Sequence, residues 1–140
     1  RGRHGQANDA KHLISTVLRC LKTNEVFNLY GTDYDTEDGT CVRDYVHVWD
    51  IAQAHVMACE RAYIGTYNLG TSVGTSNRSV IQQAQEITGL TLTIQDHARR
   101  PGDSVALTAD AAKWQQASQS EFKYTISDMI DHAWTWTQEQ

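Results

Sequence analysis

Asp38-Gly39-Thr40-Cys41-Val42-Arg43-Asp44-Tyr45-Val46-His47-Val48-Trp49-Asp50-Ile51-Ala52-Gln53-Ala54-His55 is the stretch on which the reading of this 140-residue chain turns. Residues 42–48 are rich in β-branched and aromatic side chains. Their alternation places Val42, Asp44, Val46 and Val48 on one side and Arg43, Tyr45 and His47 on the other, so a strand is expected. Asp50 then offers an N-cap for a helix running to about Ala62, with Ile51, Ala54, Ala58 and Ala62 as a narrow stripe of small residues suited to close packing on a sheet.

Upstream, Gly31 to Thr40 forms a long acidic turn, preceded by a short strand over Val26 to Tyr30. Before that strand, Leu13, Ile14, Val17, Leu18 and Leu21 share one face of a helix that Asp9 can cap and that ends near Asn24. Downstream, a strand is expected over Thr66 to Leu69 and a loop over Gly70 to Thr75. A helix capped by Ser76 then carries Val80, Ile81, Ala84 and Ile87 until Gly89 stops it. Another strand follows near Leu92 to Gln95, then the Arg99-Arg100-Pro101-Gly102-Asp103 turn and a helix from Asp110 to about Gln119. A last helix carries Ile126, Met129, Ile130, Ala133 and Trp134, with Ser127 near its start. Strands alternating with helices make this an α/β chain.

With 40% hydrophobic residues the chain has apolar material for one compact core, and it reads as one unit over 1–140. A net charge of -5 without any Lys/Arg run argues against a nucleic-acid partner, and no apolar stretch reaches the ~20 residues of a membrane helix. Cys20, Cys41 and Cys59 form neither a disulfide framework nor a CxxC pair, which points to a reducing cytoplasm. The start Arg1-Gly2-Arg3 lacks an initiator Met, and the expectation is a piece cut from a longer protein.

The Gly70 to Ser76 loop has neither the Lys of a phosphate loop nor the three glycines of the dinucleotide fingerprint, and reads as an ordinary turn. Asp33, Asp35, Glu37 and Asp44 imitate a calcium loop, but Gly39 falls one residue late and helices do not flank it. The histidines show no metal-ligand spacing, so no metal is expected, and His47 and His55 read as structural. Arg43 and Arg100 come from separate elements. Two planar guanidinium forks can clamp a diphosphate, with Asp103 free to accept both hydroxyls of a ribose. The competing reading makes them surface ion pairs, Arg43 with Asp44 or Asp38 and Arg100 with Asp96. Spacing alone leaves the two readings even.

The Asp38 to His55 string closely resembles the UDP-galactose 4-epimerases of the extended short-chain dehydrogenase/reductase family. Tyr30-Gly31-Thr32-Asp33-Tyr34, Tyr67-Asn68-Leu69-Gly70-Thr71 and the Arg99 to Asp103 turn follow the family's order and intervals. The resemblance spans nearly the whole chain. It implies the C-terminal substrate-binding lobe of such an enzyme, with about 42–62 returning to a Rossmann domain whose N-terminal half is absent. It implies further that Arg43 and Arg100 hold the UDP pyrophosphate, that Asp103 holds the ribose, that Tyr30 stacks near the uracil and Asn28 faces the same nucleotide, and that the backbone of Leu13 lies by the phosphates. His12 stands where the family usually has Asn, and Leu107 lies near the sugar's 2-substituent. Proline is missing from the acidic turn, and Ser118 to Phe122 replaces the family's Leu-Gly-Trp-x-Pro segment.

The family's chemistry uses NAD on a Gly-rich Rossmann loop and a Tyr-x-x-x-Lys pair, and no tyrosine here has Lys four residues later. The expectation is therefore an inactive UDP-sugar-binding portion of an isomerase, completed by its N-terminal half or a homodimer partner. The alternative is a non-catalytic sugar-nucleotide-binding or assembly module completed by another chain.

Overall fold

The computed structural model describes residues 11–139, so the expected cap Asp9 lies outside the described residues. The elements are α1 (Leu13–Thr23), β1 (Phe27–Tyr30), β2 (Val42–Asp44), α2 (Val48–Glu60), β3 (Gly74–Ser76), α3 (Asn77–Thr88), β4 (Ile94–His97), β5 (Ala106–Leu107), α4 (Ala112–Ser118) and α5 (Ile126–Gln138). Two small sheets organise them. β1 and β4 run parallel with Phe27 opposite Ile94 and Tyr30 opposite His97. β2 pairs antiparallel with β3 and parallel with β5.

The apolar faces of α1, α3 and α5 meet over the β1/β4 pair. Val17, Leu18, Leu21, Val80, Ile81, Ala84 and Ile130 close on Phe27 and Leu29. The period of two along β1 buries Phe27 and Leu29 and turns Asn28 and Tyr30 to the opposite face. The helix ends follow the sequence signals. Asn24 and Gly89 close α1 and α3 in the left-handed region, and Ser76 Oγ accepts from Ser79 N at 3.1 Å.

Five expectations are corrected. The strand expected over 42–48 stops at Asp44, because His47 caps α2 through a 3.0 Å bond from Trp49 N to its Nδ1. Asp50 is therefore not the cap. It lies in the first turn of α2, 5% exposed, and its two carboxylate oxygens accept from Lys123 N and Tyr124 N at 3.1 and 3.0 Å, tying the approach to α5 onto α2. Residues 66–69 form no strand, and the third strand of the second sheet is Gly74–Ser76 instead. A Cβ at Gly74 would stand 2.4 Å from Val42 Cγ1, so glycine permits that close approach. The strand expected at 92–95 shifts to Ile94–His97, with Leu92 turned into the core. At α5 the cap is Thr125, whose hydroxyl and backbone exchange bonds with Asp128, while Ser127 reaches Gln83 at 2.8 Å.

The stripe expected on α2 is also narrower than its pattern. Ala54 is its buried member, Ala62 lies past the helix end at φ 49°, and Val48, Trp49 and Val56 are 76, 55 and 50% exposed.

Candidate nucleotide site

Parallel strands deliver their following loops to the same end, where an open α/β sheet presents its ligand groups. Here β1 ends at Tyr30 and β4 at His97, and the Arg99 to Asp103 turn follows directly. The two loops are joined. Arg99 Nε donates to Asp33 Oδ1 at 2.8 Å, its Nη2 donates to the Asp33 carbonyl, and its guanidinium lies 4.2 Å from the centre of the Tyr34 ring. The bond from Arg99 holds the Asp33 carboxyl below its ordinary range, against the opposing effect of burial. Gly31, at φ 76°, brings the chain so near Tyr34 that a Cβ would stand 2.3 Å from its Cε2.

The structure brings five of the six expected residues onto connected contacts. Arg43 donates through Nη1 to the carbonyls of Val42 and Ser104 at 2.8 and 2.9 Å, and its Nη2 lies 3.8 Å from Asp103 Oδ1. Arg100 and Asp103 share one turn, closed by Asp103 N donating to the Arg100 carbonyl at 3.3 Å. The Arg100 guanidinium sits 3.9 Å from the centre of the Tyr30 ring. Tyr30 stacks on His97 at 5.1 Å and 23°, and His97 Nε2 contacts Asn28 Oδ1 at 2.8 Å. Leu13 stands apart. It opens α1 with its side chain packed on the core, and only its backbone N–H, in a turn where helical N–H groups have no intrahelical acceptor, faces outward to a ligand role.

The ion-pair reading of the two arginines finds different partners from those expected. Asp44 is taken up by Thr71 N, Thr71 Oγ1, Ser72 N and Ala109 N, and Asp38 by Thr40 and Ser76, leaving Arg43 to Asp103. Burial works to raise the Asp38 carboxyl, but the bonds from Ser76 and Thr40 outweigh it and hold it low. Asp96 pairs with Arg78 at 3.7 Å, leaving Arg100 to Tyr30. Residues missed in the sequence are His97 and Arg99, which join the groups that were found.

The Gly70 to Ser76 loop does not fit a dinucleotide. The N–H groups of Thr71 and Ser72, which would face a pyrophosphate, donate to the Asp44 carboxylate at 3.0 Å each. Two cavities, of about 270 and 650 Å³, lie away from the arginine cluster. The first is lined by residues such as Gly70, Trp114 and Phe122, the second by residues such as Glu37, Ser76 and Arg78.

A family model described as the NAD dependent epimerase/dehydratase family matches residues 1–70, half of the chain. The chain belongs to that family. Among its epimerase relatives, the UDP-glucose 4-epimerase of Halalkalibacterium halodurans is 39% identical over 145 residues, covering 99% of this chain and 43% of the relative. The crystal structure of UDP-glucose-4-epimerase from Stenotrophomonas maltophila, with bound NAD and formylated UDP-arabinopyranose, superposes with a TM-score of 0.88 at 29% identity, over 99% of this chain and 42% of that one. The Bifidobacterium longum UDP-glucose 4-epimerase, in complex with NAD+ and UDP, gives 0.82 at 33% identity over 96% and 41%. This epimerase-family chain thus spans less than half the length of the proteins it matches. Among the described residues, no helix is long and apolar enough to cross a membrane.

Proposed function

We propose that this chain is the UDP-sugar-gripping, C-terminal portion of an NAD-dependent UDP-hexose 4-epimerase, which interconverts UDP-glucose and UDP-galactose by oxidation and reduction at C4. The observation that carries the reading is the turn at 99–103, which joins Arg100 and Asp103 to Tyr30 and Arg43 at the carboxyl end of a parallel strand pair. Arg43 and Arg100 take the pyrophosphate, Asp103 the ribose hydroxyls, and Tyr30 the uracil face, with Asn28 at the base edge and the backbone of Leu13 toward the phosphates. The ligand-free contacts are placeholders: Arg100 covers the ring on which a base would stack, and the Arg43 to Asp103 pair, at 3.8 Å, is loose enough to exchange for phosphate and hydroxyl oxygens.

NAD and the proton-transferring Tyr-x-x-x-Lys pair belong to an N-terminal half, onto which residues 42–62 return. The exposed Val48, Trp49 and Val56 supply apolar surface for that contact. On this reading the chain alone catalyses nothing, works in the cytoplasm and gains its partner surface from the N-terminal half or a homodimer mate.

Calorimetric titration with UDP tests the grip. Arg43→Ala and Arg100→Ala are each expected to weaken binding by roughly tenfold or more, since a charge-assisted bond is worth about 1.5–3 kcal/mol. UDP affinity unchanged in both variants refutes the clamp. Heat appearing only when the N-terminal half is added removes the autonomous-module alternative.

A further inference from the structure

His97 has no part in the clamp, yet it touches both residues assigned to the base. It faces Tyr30 directly in the parallel register, its ring lies at 23° to the tyrosine ring, and its Nε2 reaches back 2.8 Å to Asn28 Oδ1. An amide oxygen only accepts, so Nε2 carries the hydrogen and donates it. That bond orients the Asn28 amide. Its oxygen is engaged with His97, and its Nδ2 donors, which have no partner among the described residues, are left to face outward.

We infer that His97 sets the base selectivity of this site: by holding the Asn28 amide with its NH2 group toward the nucleotide, it admits uracil and disfavours cytosine. The inference rests on the nucleotide reading above. Asn28 lies two residues before Tyr30, on the same face and away from the 99–103 turn that carries Asp103. A base stacked on Tyr30 with its ribose at Asp103 therefore turns its far edge, positions 3 and 4, toward Asn28. Uracil presents a carbonyl oxygen at position 4, which accepts from Nδ2. Cytosine presents an amino group there, so two donors meet and both lose water without gaining a bond. Without His97 the amide is free to rotate by half a turn and offer its oxygen instead. Discrimination then collapses while the phosphate grip stays. His97 is on this account a positioning residue, acting through Asn28.

The test is calorimetry of the 140-residue chain with UDP, CDP and inorganic pyrophosphate, on the wild type, His97→Ala, His97→Gln and Asn28→Ala. The wild type is expected to prefer UDP over CDP by roughly tenfold or more. His97→Ala and Asn28→Ala should bring that ratio to within about threefold, with pyrophosphate affinity unchanged. His97→Gln, whose amide N–H can donate to the same oxygen, should restore most of the preference, and it keeps the test decisive if the alanine variant fails to fold. A UDP to CDP ratio in His97→Ala equal to the wild type overturns the inference. So does a wild type that binds pyrophosphate but treats the two nucleotides alike, an outcome that leaves the arginine clamp standing. A wild type that binds none of the three overturns the nucleotide reading itself.

Discussion

Replacing Asp44 by asparagine preserves shape and removes one acceptor, and the structure indicates what that costs. The carboxylate divides its bonds evenly. Oδ1 accepts from Thr71 N at 3.0 Å and Thr71 Oγ1 at 2.6 Å, and Oδ2 from Ser72 N at 3.0 Å and Ala109 N at 3.2 Å. One side chain on β2 thereby holds the chain leading into β3 and the segment entering α4. Gly70 packs so tightly beside it that a Cβ would stand 2.7 Å from Asp44 Oδ2 and 2.4 Å from Ala109 Cβ, leaving little room to readjust. Asparagine keeps an oxygen for one pair of donors and turns an NH2 group on the other. Two charge-assisted bonds worth about 1.5–3 kcal/mol each are lost, and the surviving two become neutral.

Partial exposure of the site lets water recover some of that loss, and the expected destabilisation is about 3 kcal/mol. At this chain length that corresponds to a Tm lower by roughly 10 °C. Urea unfolding followed by far-ultraviolet circular dichroism measures it, with the m-value unchanged if the unfolded ensemble is untouched. An Asp44→Asn midpoint within about 0.5 kcal/mol of wild type would refute the claim that this carboxylate ties the two segments together.

Three further outcomes are expected. Asp50→Ala removes the acceptor of the Lys123 and Tyr124 N–H groups from a buried position and should cost about 3 kcal/mol in chemical unfolding, while exposed Asp35→Ala should cost under about 0.5 kcal/mol. Thr125→Ala dismantles the capping box of α5 and should lower stability by about 1 kcal/mol, with amide exchange quickening first at residues 126–128. Burial, then the neighbouring His132, lowers the His47 pKa against the opposing pull of Asp50 and Asp128. Folding stability is thus full above the unfolded value near 6.5 and is lost as pH falls below it, and His47→Asn should shrink the Tm difference between pH 7.5 and pH 5.

Much of the fold was legible because it depends on signals a few residues apart. Ser76 and Gly89 delimit α3, and the helical spacing of Leu13 to Leu21 and of Ile126 to Trp134 marks the faces that meet over β1. What the sequence hid depends on partners far along the chain. Asp50 looks like an N-cap until Lys123 and Tyr124 arrive to claim its carboxylate, and His47 then does the capping. Residues 66–69 have the composition of a strand, but a strand exists only with a neighbour to bond, and the described residues supply none. In the site, Arg43, Arg100 and Asp103 announced themselves by charge and turn context, and spacing could not choose between clamp and ion pairs. Neither expected ion pair formed, because Asp38, Asp44 and Asp96 each have other donors. His97 carried no signal, since its importance comes from the parallel register that sets it opposite Tyr30.

The ligand-free site is consequently a set of charges satisfied by one another at moderate strength. Arg99 is committed to the scaffold by two bonds to Asp33 and by the Tyr34 ring, whereas Arg100, its neighbour, has only the face of Tyr30. A cation resting on an exposed ring is worth about 0.5–1 kcal/mol, less than the about 1.5–3 kcal/mol of one charge-assisted bond to phosphate. Arg100 therefore gains by leaving Tyr30 for a diphosphate, and its departure bares the ring for the base. Phosphate capture and base stacking are coupled through that single side chain. Arg100→Ala should for this reason weaken pyrophosphate more than it weakens uridine, because the variant loses a phosphate donor while its tyrosine face is already clear.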